Sequence, residues 1–263
     1  MRTKAFAGRA GANRRQFIGA ATATFAGATA EGGPTAAPMI KAVAFDAFAI
    51  FNPRPVFRLA EELFPSRGEE LSNQWRTRQF EYTWLRNSMR LYTDFWHVTE
   101  DALRYAAQQS KLELTAEKSS QLMSAYLRMK PWIDVVAVLE ALRKRGLRLA
   151  LLANLTPTMM RSCVTASGLQ TMFEFQLSTD SVRAFKPDPV AYAMGIEGFH
   201  LEKHEILFVA FGGWDAVGAR AFGYPTYWVN REARPAEQLG ITADATYRDL
   251  ASLSNFLDVL NRG

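Results

Sequence analysis

The stretch Lys41-Ala-Val-Ala-Phe-Asp46-Ala-Phe-Ala-Ile-Phe51 constrains the fold more than any other part of the chain. Small and apolar residues without polar alternation suit a strand covered on both faces, as in a parallel sheet. The single carboxylate, Asp46, stands where such a strand ends. Open α/β sheets present reactive groups at the carboxyl ends of their strands. Asp46 therefore reads as a nucleophile or metal ligand, and its bland alternative is an Asp that caps a turn.

The same texture returns later in the chain. Asn52-Pro-Arg-Pro55 breaks regular structure after the first strand. From Val56 to Lys130 the pattern is helical, and Leu71, Trp75, Tyr82, Leu85 and Met89 recur at the spacing of one long amphipathic helix. Thr99 to Ser110 and Ala116 to Leu127 read as two further helices. Asp134 is placed to cap a helix that ends at Gly146, with Arg143, Lys144 and Arg145 in its last turn. Buried strands are expected at 148–153, 173–178, 205–211 and 225–230, with helices between them. The predicted architecture is a doubly wound, mostly parallel α/β sheet. Residues 39–54 and 131–263 form its core, and residues 55–130 are an inserted all-helical cap.

The N-terminus has a different character. Asn13-Arg14-Arg15-Gln16-Phe17-Ile18, a weakly apolar stretch and Ala28-Thr29-Ala30 occur in the order of a twin-arginine signal peptide with its cleavage site. Residues 1–30 read as that signal and 31–38, rich in Gly, Pro and Ala, as a linker. Export by this route carries folded protein, so the expected location is periplasmic or secreted, or cytoplasmic if the leader goes unread. The net charge of +5 follows the leader: its five basic residues leave 26 basic against 26 acidic residues in the remainder. That balance offers no argument for nucleic acid or for a membrane partner after export. One cysteine, Cys163, rules out an intramolecular disulfide framework and reads as a small core residue.

Four strand ends carry polar groups: Asp46, Asn154 with Thr156, Lys186 and Asp215. Parallel strands bring their carboxyl ends to one crevice, and a helical insert after the first strand can roof it. An acid, an amide, an ammonium and a second acid there make a nucleophile with its support.

Several motifs extend this set. They are Phe45-Asp-Ala-Phe48, Trp75-Arg76, Phe80-Glu-Tyr-Thr-Trp-Leu-Arg86, Tyr92-Thr-Asp-Phe-Trp96 and Leu152-Ala-Asn154. Phe185-Lys-Pro-Asp188 with Tyr192, and Trp214-Asp-Ala-Val-Gly-Ala-Arg-Ala-Phe-Gly223, complete them. From about Ile40 onward the chain resembles the haloacid dehalogenase superfamily, and within it the 2-haloacid dehalogenase (type II) branch. The resemblance implies that Asp46 attacks the halogen-bearing carbon and forms an ester. It implies that Arg76 and Asn154 stabilise the departing halide, that Lys186 pairs with the nucleophile, and that Asp215 helps orient the hydrolytic water. Tyr192 would support the Lys186 side. Ala47, Phe48, Ala153 and Trp214 would line the substrate, a small halogenated carboxylic acid, with backbone N–H groups near Asp46 and Asn154 holding its carboxylate. No cofactor and no metal are implied. A homodimer through the helical region is.

The chain also departs from that pattern. Ala49-Ile50 replaces Gly-Thr, Ala153 replaces Ser, and Ala210-Phe211-Gly212 replaces Ser-Ser-Asn. Groups that serve halide displacement remain, whereas hydroxyls and an amide that serve ester hydrolysis are gone. A slow dehalogenase is the leading expectation. A pseudoenzyme that binds a small carboxylate is the second, and a hydrolase of another electrophile such as a phosphate ester is the third. Phe48 counts against the third, because superfamily phosphatases place a proton-donating acid at that position. His200 and His204 read as surface residues without partners for a metal site, and His97 as packing within the cap.

Overall fold

The computed structural model describes residues 39–262. The signal and linker readings fall outside the described residues. The first strand, β1 (Ala42–Phe45), is followed by the short α1 (Ala47–Ile50) and then by α2 (Arg54–Leu63), α3 (Gly68–Met89), α4 (Phe95–Gln109) and α5 (Ala116–Ala125). After α6 (Val135–Lys144) come β2 (Arg148–Ala153), α7 (Pro157–Ala166), β3 (Phe175–Ser178) and α8 (Pro189–Phe199). The remainder is β4 (Ile206–Ala210), α9 (Gly213–Phe222), β5 (Thr226–Val229), β6 (Ala245–Tyr247) and α10 (Leu253–Leu260).

The six strands form one sheet in the order β3-β2-β1-β4-β5-β6, and every neighbouring pair is parallel. This is the expected doubly wound fold. The chain winds outward from β1 in one direction through β2 and β3, and in the other from β4 to β6. The crevice therefore lies where β1 and β4 separate. Alternation within β1 explains why the strand is apolar throughout. Val43 and Phe45 join the larger core beneath α2–α7, while Ala42 and Ala44 join a second core with Tyr192, Phe208 and Tyr224. All four residues are fully buried.

Some local expectations change. Pro53-Arg-Pro55 does not only break structure. It starts α2, because Pro fits the first turn, where no N–H partner is needed. Asp134 precedes α6 without capping it, since its own backbone is already helical. Its carboxylate instead accepts the Leu250 N–H at 2.7 Å and pairs with Arg231 at 3.1 Å. In α3, Leu71 and Trp75 are buried, but Leu85 and Met89 are 47% and 54% exposed. The buried face is completed by Gln79 and Thr83, whose polar ends are satisfied by Thr99 Oγ1 and the Phe80 carbonyl. His97 is exposed and bonds Asp94 at the start of α4 rather than packing within the helices. β6 and α10 escape the sequence reading. β6 has only three residues and no buried side chain to set a period. Among the described residues, no helix is long and apolar enough to cross a membrane.

Candidate active site

Asp46 is set by its strand. Its N–H continues the ladder to the Val209 carbonyl at 2.9 Å, which fixes the residue where β1 and β4 part. Its side chain then caps α1, with Oδ2 accepting the Phe48 N–H at 3.0 Å. The turn-cap reading and the nucleophile reading thus describe the same residue. The cap holds one oxygen, and Oδ1 accepts Lys186 Nζ at 2.8 Å.

Lys186 is wholly buried. Its ammonium also donates to Asp215 Oδ2 at 2.7 Å and lies 5.0 Å from the centre of the Phe208 ring. Burial alone would lower its pKa, but the carboxylates of Asp215 and Asp46 outweigh that and raise it. Two asparagines position its backbone. Asn154, just past β2, accepts the Lys186 N–H at 2.9 Å and the Thr179 hydroxyl at 3.2 Å through Oδ1. Asn87, near the end of α3, brackets the preceding residue, donating to the Phe185 carbonyl at 2.7 Å and accepting its N–H at 3.0 Å.

Asp215 sits in the first turn of α9 and is 1% exposed. Tyr192 donates its hydroxyl to Oδ1 at 2.7 Å, so both oxygens are engaged by protein. Desolvation pushes this carboxyl up to about 6. The Lys186 charge opposes the shift, the charge of Asp46 adds to it, and the Tyr192 hydrogen bond opposes it. The physical reason is a shortage of counter-charge, with one ammonium serving two acids. Asp215 stands behind Lys186 and is not among the residues that line the cavity.

The cavity above Asp46 has a volume of about 570 Å³. Asp46, Phe48, Arg76, Ala153, Asn154 and Trp214 line it, as the sequence suggests. Ala47 and Tyr192 do not. Ala47 is the buried first residue of α1, and Tyr192 supports Asp215 from beneath, so neither side chain reaches the cavity. Arg76 enters from α3. It donates to Asn73 at 2.6 Å, stacks 4.6 Å from the Phe57 ring centre and lies 3.8 Å from Glu232. Its buried Nε has no partner among the described residues. Asn87, Phe80, Phe211 and Glu232 also shape the site, and sequence reasoning gave them no role. Phe80 lay inside a motif already noted. Glu232 and Asn87 carried no local signal.

The positions that lack expected polar groups are filled by packing. Ile50 and Ala210 are fully buried, and Ala153 is 1% exposed. Phe48, where a phosphatase keeps an acid, packs 6.2 Å from Phe211 between ring centres.

A doubly wound sheet whose central strand ends in a carboxylate, paired with a buried lysine under a helical roof, defines an α/β protein with a candidate reactive aspartate at its sheet edge. Comparison with known proteins agrees. The family model for haloacid dehalogenase-like hydrolases matches residues 20–223, and the chain belongs to that family. It is 42% identical over 206 residues to an (S)-2-haloacid dehalogenase of Pseudomonas sp. (strain YL), covering 78% of this chain and 89% of that one. The crystal structure of the L-2-haloacid dehalogenase RSc1362 superposes with a TM-score of 0.82 at 39% identity, covering 84% of this chain and 99% of that one. The L-2-haloacid dehalogenase of Xanthobacter autotrophicus with chloropropionic acid covalently bound gives 0.78 at 32% identity, with 84% and 99% covered.

Proposed function

We propose that this chain hydrolyses short-chain (S)-2-haloacids to 2-hydroxyacids through an ester on Asp46. The observation that carries the reading is the buried Lys186 ammonium held between Asp46 and Asp215, with Asp46 lining a cavity together with Arg76 and Asn154. A carboxylate oxygen of Asp46 forms a bond to C2 as the carbon–halogen bond breaks, and the halide leaves with the bonding pair. Displacement from the rear inverts C2, so an (S)-haloacid gives an (R)-hydroxyacid. Arg76, whose Nε has no partner among the described residues, and the Asn154 amide supply positive charge and N–H groups to the departing halide. Water then adds to the ester carbonyl of Asp46, the carboxylate is restored, and the hydroxyacid and one proton are released. Lys186 counters the negative charge that develops on the Asp46 oxygens in that second step, and Asp215 holds Lys186 charged and in place.

Ala153, Ala210 and Gly212 offer no side-chain donor or acceptor for water, so ester hydrolysis is the slower step. Mixing the mature protein with L-2-chloropropionate and following chloride and intact mass together tests this. One rapid equivalent of chloride with an adduct on Asp46, followed by slower steady release, is the expected result. Full chloride release from Asp46→Asn would remove the nucleophile assignment.

Export follows from the leader. Asn13-Arg-Arg-Gln-Phe-Ile18 and Ala28-Thr-Ala30 support a twin-arginine substrate with cleavage after Ala30. The N-terminal sequence of protein from a periplasmic extract tests it. A homodimer through the helical region is part of the same reading, supported by the exposed apolar side chains of Trp84, Leu85 and Met89.

A further inference from the structure

The cavity is large for a three-carbon acid. Its volume of about 570 Å³ lies within the roughly 300–1,000 Å³ of sites that enclose drug-sized ligands. A small haloacid would leave most of that space to water, which weakens every charge interaction around the reacting carbon. The walls are aromatic. Phe48 and Phe211 stand against each other on the sheet side, and Trp132 stacks behind Phe211 at 6.2 Å. Facing them, Phe80 from α3 meets Trp214 from α9 with ring centres 4.7 Å apart, and Phe57 lies under Arg76.

Gly212 makes this arrangement possible. A Cβ on Gly212 would lie 2.6 Å from Trp214 Nε1 and 3.0 Å from Cδ1, so the indole rests on bare backbone. Gly212 has φ −83° and ψ 143°, which any residue can adopt, so the requirement is space and not backbone strain. A side chain at 212 would push the indole away and break its contact with Phe80. Absence of a side chain at 212 and of a hydroxyl at 153 thus leaves the indole and a methyl group as apolar lining of the cavity.

We propose that the site takes 2-haloacids bearing a bulky arylalkyl side chain, of the 2-halo-3-phenylpropanoate kind, in preference to three-carbon acids. The proposal rests on the dehalogenase reading. The carboxylate and halogen would occupy the polar groups Asp46, Arg76 and Asn154, and the aromatic side chain would displace water from the Phe80–Trp214 and Phe48–Phe211 walls. The chemistry is unchanged: haloacid and water give hydroxyacid, halide and a proton.

The test compares kcat/KM, by bromide release, for (S)-2-bromo-3-phenylpropanoate and (S)-2-bromopropanoate. Calorimetric binding of (R)-3-phenyllactate and (R)-lactate is measured in parallel. The expected result is at least a tenfold preference for the phenyl compound in both assays. Gly212→Ala and Phe80→Ala should each reduce that preference about tenfold, with folding verified by circular dichroism. Using two variants on opposite sides of the contact keeps the test sound if one fails to fold. Turnover of both substrates with no preference for the phenyl compound overturns the proposal and leaves the dehalogenase reading standing. No bromide from either substrate, with phenyllactate still bound tenfold tighter than lactate, overturns the reaction and supports the apolar site. No bromide and no difference in binding overturns both.

Discussion

At the scale of single residues, the site is a charge-balance problem. Among the described residues Lys186 is the only cation bonded to two buried acids, and removing it leaves both without a counter-charge. Lys186→Met should therefore cost stability as well as activity, by about 3–5 kcal/mol for breaking a buried pair, measured by urea unfolding. The pH behaviour follows from the directions of the shifts. Asp215 is raised to about 6 in the fold, so the folded state holds this proton more tightly than the unfolded chain. Its contribution favours folding at low pH and is lost as pH rises through about 6. Lys186 is also raised, so its contribution is complete below its ordinary value and is lost as pH climbs through the higher folded value. For catalysis, the ionised Asp215 is the form that holds Lys186. Activity should fall as pH drops through about 6. Tyr192→Phe removes a hydrogen bond that lowers the Asp215 pKa, so the acid limb of the kcat/KM profile should move to higher pH.

At the scale of elements, α3 does more than roof the cavity. Its inner face gives Arg76 and Phe80 to the cavity, and its far end reaches the Lys186 loop through Asn87. Asn87→Ala would strip the Phe185 N–H of its partner and leave the Phe185 carbonyl with the Asp188 N–H alone. The expected cost is about 1–3 kcal/mol for leaving such a group unsatisfied, seen as a lower melting temperature, with a drop in kcat as Lys186 loses its fixed register. The amphipathic pattern of α3 was readable because Leu71, Trp75 and Tyr82 recur at helical spacing. It failed at Leu85 and Met89 because a helix period says which face they share and not how far the covering surface extends.

At the scale of the whole molecule, the exposed apolar side chains on the outer half of α3 call for a partner surface, and a second copy is the proposed one. Leu85→Glu combined with Met89→Glu should shift the sedimentation mass from two chains to one, while the wild type remains paired. Cavity and α3 surface lie on different sides of that helix: Phe80 and Arg76 line the cavity, whereas Leu85 and Met89 are exposed. The paired substitution should therefore leave the preference between phenyl and methyl substrates intact.

By itself the sequence determined the parallel sheet, the helical insert after β1 and two strand-end groups, Asp46 and Asn154; Lys186 lies in the loop before α8 and Asp215 in the first turn of α9. The features so determined are local: an apolar run reports two-sided burial, and a polar residue that ends it reports the carboxyl edge. Tertiary structure decided the rest. Lys186 meets Asp46 across 140 positions, and Asn87 meets Phe185 across 98. Asp215 turned out to stand behind Lys186, and Tyr192 beneath Asp215, because α8 and α9 pack together on one face of the sheet. The size of the cavity was likewise unreadable, since it depends on Gly212 receiving an indole that Phe80, from a distant helix, holds in place. Chain position specifies which chemical groups reach the sheet edge, but the distances and free volume among them exist only once the helices have packed.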